Sequence, residues 1–235
     1  MAGWNLWHGC RKVSEGCRRC YVYRQDARWE QDASQVRRTA AFDLPVRRDR
    51  TGRYKIPPGQ TVYTCFTSDF FIEEADAWRG EAWAMIRERS DCTFLMITKR
   101  IDRVAACLPA DWGEGWPHVV LCCTCETQER ADYRLPLCRR EVICEPLLER
   151  LDLSRYLAEG RIDSVSCGGE SGDDARVCDF DWVLDLRRQC VDAGVAFRFR
   201  QTGARLRKEG RIYRIRRQFQ HSQARRAGVD FIVEG

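Results

Sequence analysis

Apolar residues along this chain gather into short runs separated by longer amphipathic stretches. β-Branched and aliphatic runs occur at Thr61–Thr67, Thr93–Thr98, His118–Thr124, Glu141–Cys144, Ser164–Cys167 and Val195–Phe199, with a short strand-like stretch before them at Gly3–Trp7. Each has the length of a strand rather than a helix. Between them the period changes. Trp78, Ala82, Met85 and Ile86 share one helical face, as do Val183, Leu186 and Cys190, with Gly194 placed to cap the second helix. Strand alternating with helix predicts parallel strands joined by right-handed crossovers, an α/β sheet or barrel. At 235 residues the chain is short for a complete eightfold barrel, which takes about 250. The expected fold is therefore α/β, a partial (β/α) barrel of about six to seven parallel strands over residues 1–203. A basic C-terminal extension, 204–235, follows. Asp43–Gln60, with Pro45, Pro57 and Pro58, reads as a loop before the second strand, and Arg211–Ile215 as a strand after a turn at Glu209-Gly210.

Composition narrows the setting. Hydrophobic residues make up 44% and charged residues 32%, ordinary for a globular protein. No apolar run approaches the roughly 18 residues of a membrane span, and the N-terminus does not read as a signal peptide. Fourteen cysteines without a secretory leader predict a reducing, cytoplasmic location with most thiols packed as small hydrophobes, Cys65, Cys144 and Cys167 among them. Cys122, Cys123 and Cys125 read the same way. The net charge of +5 permits nucleic acid as a partner without demanding it.

Three cysteines stand apart. Cys10, Cys17 and Cys20 form a C-x6-C-x2-C pattern on a glycine-containing loop after the first strand. Three thiolates suit a soft metal or an iron–sulfur cluster, and a four-iron cube on three cysteines keeps one iron open. Joined by His8, the same cysteines would instead make a Cys3His zinc site.

Polar residues collect where parallel α/β folds place their chemistry, at the C-terminal ends of strands. The runs end in Thr67-Ser68-Asp69, Thr98-Lys99-Arg100, Thr124-Cys125-Glu126, Glu145-Pro146, Gly168-Gly169-Glu170-Ser171-Gly172 and Gln201-Thr202-Gly203. Asp69 and Ser171 suit helix capping as well as a site. Gly168 and Gly169 allow close backbone approach to a ligand or a plain tight turn, with Glu170 a fixed acceptor. Glu126 and Glu145 are candidates for acid–base work, or for ion pairs with Lys99 or Arg100. Asp69, Glu126 and Glu145 could equally hold Mg²⁺ for hydrolysis of a phosphate ester.

Trp4-Asn5-x-Trp7-His8-Gly9-Cys10, Cys17-x-x-Cys20-Tyr21, Thr67-Ser68-Asp69-Phe70-Phe71, Ile97-Thr98-Lys99-Arg100, Glu145-Pro146-Leu147-Leu148 and Gly168-Gly169-Glu170-Ser171-Gly172 occur in this order. Together they resemble the phage-associated three-Cys-motif proteins, a family of unknown function, over about residues 3 to 203. That family is in turn similar to radical S-adenosylmethionine (SAM) enzymes, spore photoproduct lyase among them. The resemblance implies a partial barrel, a [4Fe–4S] cluster on Cys10, Cys17 and Cys20, and reductive cleavage of SAM fed by an external electron donor. It also implies SAM contacts from Gly168, Gly169 and Glu170, with Ser68 and Ser171 beside them. Independently of the resemblance, the strand-end positions make Asp69, Lys99, Glu126 and Glu145 the candidate catalytic residues, with Lys99-Arg100 suited alternatively to binding phosphate or carboxylate. The chain departs from the usual C-x3-C-x2-C spacing, and Arg19 rather than an aromatic residue precedes Cys20. The arginine-rich tail, interleaved with Tyr213, Phe219 and His221, points to a nucleic acid or nucleotide substrate, or to a solvated charged face.

Overall fold

A computed structural model describes residues 2–233. The chain has a mixed α/β fold, a partial β/α barrel, whose seven-stranded sheet runs in the order β1 (Ala2–Trp4), β4 (Thr61–Thr64), β5 (Thr93–Thr98), β6 (Val119–Thr124), β7 (Arg140–Cys144), β8 (Ile162–Gly168) and β10 (Ala196–Gln201). Its residues pack as two compact units. The first comprises residues up to Lys12 together with Val22–Cys122; the second comprises Val13–Tyr21 together with the described residues from Cys123 onward, those of the basic segment included.

In the first unit β1 (Ala2–Trp4) gives way to β2 (Trp7–His8), which pairs antiparallel with β3 (Arg37–Arg38). The expected strand Gly3–Trp7 is thus two pieces. Trp4, Leu6 and Trp7 are all buried although the chain bends between them, so apolar content outran strand geometry. β4 (Thr61–Thr64) pairs in parallel with β1 and with β5 (Thr93–Thr98). β4 stops three residues before the predicted Thr67 because Cys65 turns into the left-handed region at φ 66. Helix α1 (Tyr21–Ala27) follows the cysteine loop; α2 (Asp76–Glu88) buries Ala82, Met85 and Ile86 as its periodicity requires; α3 (Ile101–Cys107) follows β5. Around Phe70 an aromatic cluster forms, with Trp7 at 5.3 Å and Trp83 at 5.0 Å between ring centroids. The Asp43–Gln60 loop is held from inside by fully buried Arg89, whose guanidinium donates to the carbonyls of Pro45 and Ile56 and pairs with Asp91.

β6 (Val119–Thr124) spans the boundary of the units. In the second unit β7 (Arg140–Cys144), β8 (Ile162–Gly168) and β10 (Ala196–Gln201) are parallel neighbours. A two-residue strand β9 (Cys178–Asp179) pairs with β11 (Arg205–Lys208), which turns back into β12 (Arg211–Arg214). α4 (Gln128–Arg134), α5 (Ser154–Ala158), α6 (Phe180–Asp192) and α7 (Arg217–Arg226) complete the unit. α6 buries Val183, Leu186 and Cys190 and ends where Gly194 takes φ 65, as its spacing predicts. No helix among the described residues is long and apolar enough to cross a membrane.

Ten of the fourteen cysteines are buried. Burial pushes the thiols of Cys178 and Cys190 up to about 12 and those of Cys65, Cys144 and Cys167 well above the ordinary range. The unfolded chain releases these protons near pH ~8.5 while the folded chain retains them, so their contribution is full below that pH and is lost as pH rises. Unfolding free energies from urea titration under reducing conditions should therefore fall between about pH 8.5 and 10.5, by roughly 2–3 kcal/mol per buried thiol at the upper end, with the urea midpoint falling in step. An unchanged midpoint would show that these thiols ionise freely in the folded state.

Candidate functional site

Each unit holds part of the predicted site. In the first, the backbone leaves β2 through Gly9, whose φ of 92 and close approach to the Gln35 carbonyl leave no room for a Cβ. That turn delivers Cys10, fixed by its amide to the Ala33 carbonyl at 2.8 Å. Ser68 donates to the Gly9 carbonyl and the Tyr23 hydroxyl to that of Cys10. Arg100 lies beneath the loop, with Nη1 3.8 Å from Cys10 Sγ and Nη2 donating to the Arg11 carbonyl at 2.9 Å. Burial works against the charge of Arg100, but Asp69 and Cys10 outweigh it and raise its pKa.

Asp69 is spent on structure. Its carboxylate accepts from the Thr98 hydroxyl at 2.8 Å and from the amides of Lys99 and Phe71, and lies 3.5 Å from Arg100. The pattern of donors makes it a positioning group for Arg100 rather than a free base. Lys99 is half-buried beside it. The first unit thus brings Cys10, Ser68, Asp69 and Lys99 into one neighbourhood, organised by Arg100. His8, the fourth ligand of the zinc alternative, commits Nε2 to Asp26 at 2.7 Å.

In the second unit Cys17 closes a short 3-10 turn, Glu15–Cys17. Glu126, fully buried, anchors that turn: it accepts from the Ser14 hydroxyl and from the Gly16 amide at 3.3 Å. A Cβ at Gly16 would come within 2.9 Å of the same carboxylate. Arg134, also buried, donates to the other oxygen of Glu126 at 2.8 Å and to the Thr124 carbonyl at 2.7 Å. Just before Cys20, Arg19 lies 3.4 Å from Asp174 and 3.9 Å from Glu170. Glu170 in turn accepts from the amide and the guanidinium of Arg176 at 2.8 and 2.9 Å, and this bond raises the pKa of Arg176.

The glycine pair packs against the chain itself. A Cβ on Gly169 would sit 2.3 Å from the Thr202 carbonyl, and one on Gly168 2.9 Å from Glu145 Oε2. Ser171 follows, half-buried. Glu145 keeps a partly accessible carboxylate, which accepts from Gln201 Nε2 and lies 3.7 Å from Arg200. Gln201 Oε1 accepts from Arg217 at 2.8 Å, so a polar chain runs from α7 to the end of β7. Arg134, Arg176 and Arg217 were not legible as site residues, because an arginine outside a motif reads as surface.

The donor set suits an iron–sulfur cluster in kind: Cys10, Cys17 and Cys20 form no disulfide and are half-buried, soft ligands in a chain whose other thiols are mostly sealed. Among the described residues no group of three or more His, Cys, Asp or Glu side chains is already gathered to hold a metal ion.

Fold and side chains together define an α/β partial-barrel protein with a braced cysteine loop. Residues 1–230 match the model of a family described as a protein of unknown function (DUF5131), and the chain belongs to that family. No curated protein and no solved structure matches it.

Proposed function

We propose that this chain is a radical SAM-type iron–sulfur enzyme of the cytoplasm, with Cys10, Cys17 and Cys20 as cluster ligands and an external electron donor. The observation that carries the reading is selective accessibility. Ten thiols are buried and four are half-exposed; three of those four are the cysteines of the C-x6-C-x2-C loop, and Cys107 on α3 is the fourth. The order of motifs shared with the three-Cys-motif proteins supports it independently. Bound there, a [4Fe–4S] cluster would supply the electron that cleaves SAM. The chain's own part is to hold the ligands: Arg100 at the Cys10 sulfur, Glu126 at the turn bearing Cys17, and Arg19 with its acidic partners ahead of Cys20. Glu145, the most accessible of the strand-end carboxylates, is the one left to meet substrate. The Mg²⁺-hydrolase alternative has less support, since Asp69 and Glu126 spend their oxygens on internal donors. The basic region 204–235 makes a nucleic acid or nucleotide the favoured substrate class.

Anaerobic purification with iron and sulfide quantitation tests this. About four irons per chain, absent from Cys17→Ala and Cys20→Ala, with SAM cleavage on reduction, is the expected result. A colourless protein that retains zinc after reconstitution would replace it with the Cys3His reading.

A further inference from the structure

The last elements of the second unit enclose a groove that the cysteine loop does not use. It measures about 620 Å³, within the usual span of ligand sites. Phe180 and Phe199 form its floor, their ring centroids 6.0 Å apart. In the β11–β12 hairpin Leu206 stands opposite Tyr213, and both line the cavity. α7 contributes Phe219, Gln223 and Arg226, a helical stripe at i, i+4 and i+7. Tyr213 and Phe219 are each 45% exposed, so two aromatic faces remain open to solvent.

Charge is concentrated on the same elements. Residues 204–235 hold nine Arg and Lys against three Asp and Glu, while the preceding 203 residues hold thirty-one against thirty-two. The whole positive excess of the chain lies here. Some of these arginines are engaged internally: Arg207 with Asp179, and Arg217 with Gln201. Arg214, Arg216 and Arg226, on the groove, have side chains with no hydrogen-bond or ion-pair partner among the described residues.

We propose that this groove binds single-stranded nucleic acid, with bases stacked on Phe219 and Tyr213 and backbone phosphates on Arg214, Arg216 and Arg226. Open aromatic faces flanked by unpaired guanidinium groups are what an unpaired strand requires, and a duplex hides its base faces. Arg211 and Arg225 carry the positive surface past the cavity, which favours a strand over a mononucleotide. This inference rests on the nucleic-acid part of the proposed function and not on its metal chemistry.

The test is fluorescence anisotropy of the full chain with a labelled oligothymidylate of about twelve nucleotides, competed by the matching duplex and by thymidine monophosphate. The strand should bind in preference to both competitors, with affinity falling with salt at a log–log slope of about −0.7 per phosphate contacted. Phe219→Ala should weaken binding at least about fivefold and leave the slope unchanged, whereas Arg216→Ser should flatten it by about 0.7. Tyr213→Ala serves as a second stacking variant, and far-UV circular dichroism verifies folding. Cys17→Ala should bind as the wild type does, so loss of the cluster reading would leave this result standing. Absence of binding, equal binding of strand and duplex with Phe219→Ala unchanged, or equal competition by the mononucleotide would each overturn the proposal.

Discussion

Replacing Glu126 with leucine should cost about 3–5 kcal/mol in urea unfolding, because it strands the Arg134 charge in the interior. Both side chains are essentially inaccessible, and the guanidinium has no other acidic partner among the described residues. Adding Arg134→Met should recover most of the loss, since an apolar pair of similar volume avoids desolvating two charges. The cysteine turn should behave differently. Ser14 and Gly16 lose their acceptor in both variants, so alkylation of Cys17 should accelerate in the single and the double mutant alike. A single mutant as stable as wild type would show that the Arg134 charge is not stranded, and alkylation of Cys17 at the wild-type rate would show that Glu126 is not what braces the turn.

Gly9→Ala should be similarly damaging in the first unit, at about 2–5 kcal/mol. Two costs add: the left-handed backbone at φ 92, and a Cβ placed 2.2 Å from the Gln35 carbonyl oxygen. Neither obstacle is a flexible side-chain end that could swing away. Gly3→Ala is the matched control, because nothing lies within 4 Å of its would-be Cβ, and its effect should stay within about 0.5 kcal/mol. Thermal melts of the two variants decide the matter, and equal midpoints would mean that the loop rearranges freely around residue 9.

The α/β architecture was legible because its strands are short apolar runs and its helices keep their period. β5 matches the run Thr93–Thr98 residue for residue, and β8 extends Ser164–Cys167 by two residues before it and one after. Errors fell where apolar residues are buried outside strands, at Leu6 and at Cys65. Site residues were legible as types but not as roles. Asp69 and Glu126 sit at strand ends as expected, yet both point inward to arginines, and nothing local in the sequence announces a buried guanidinium. Gly168 and Gly169 signalled a close approach correctly. What comes close is the chain's own Thr202 and Glu145.

The packing of Val13–Tyr21 has a consequence for biosynthesis. These nine residues belong with the second unit, although the chain on either side of them belongs to the first. Ser14 meets its acceptor 112 positions later in the chain. During translation the segment bearing Cys17 and Cys20 therefore emerges early and waits, unanchored, until Glu126 and Glu170 have left the ribosome. Long-range closure of this kind is slow. It also means that no single cut divides the protein into its two units, and a fragment starting at Cys123 would lack the peptide that covers Glu126.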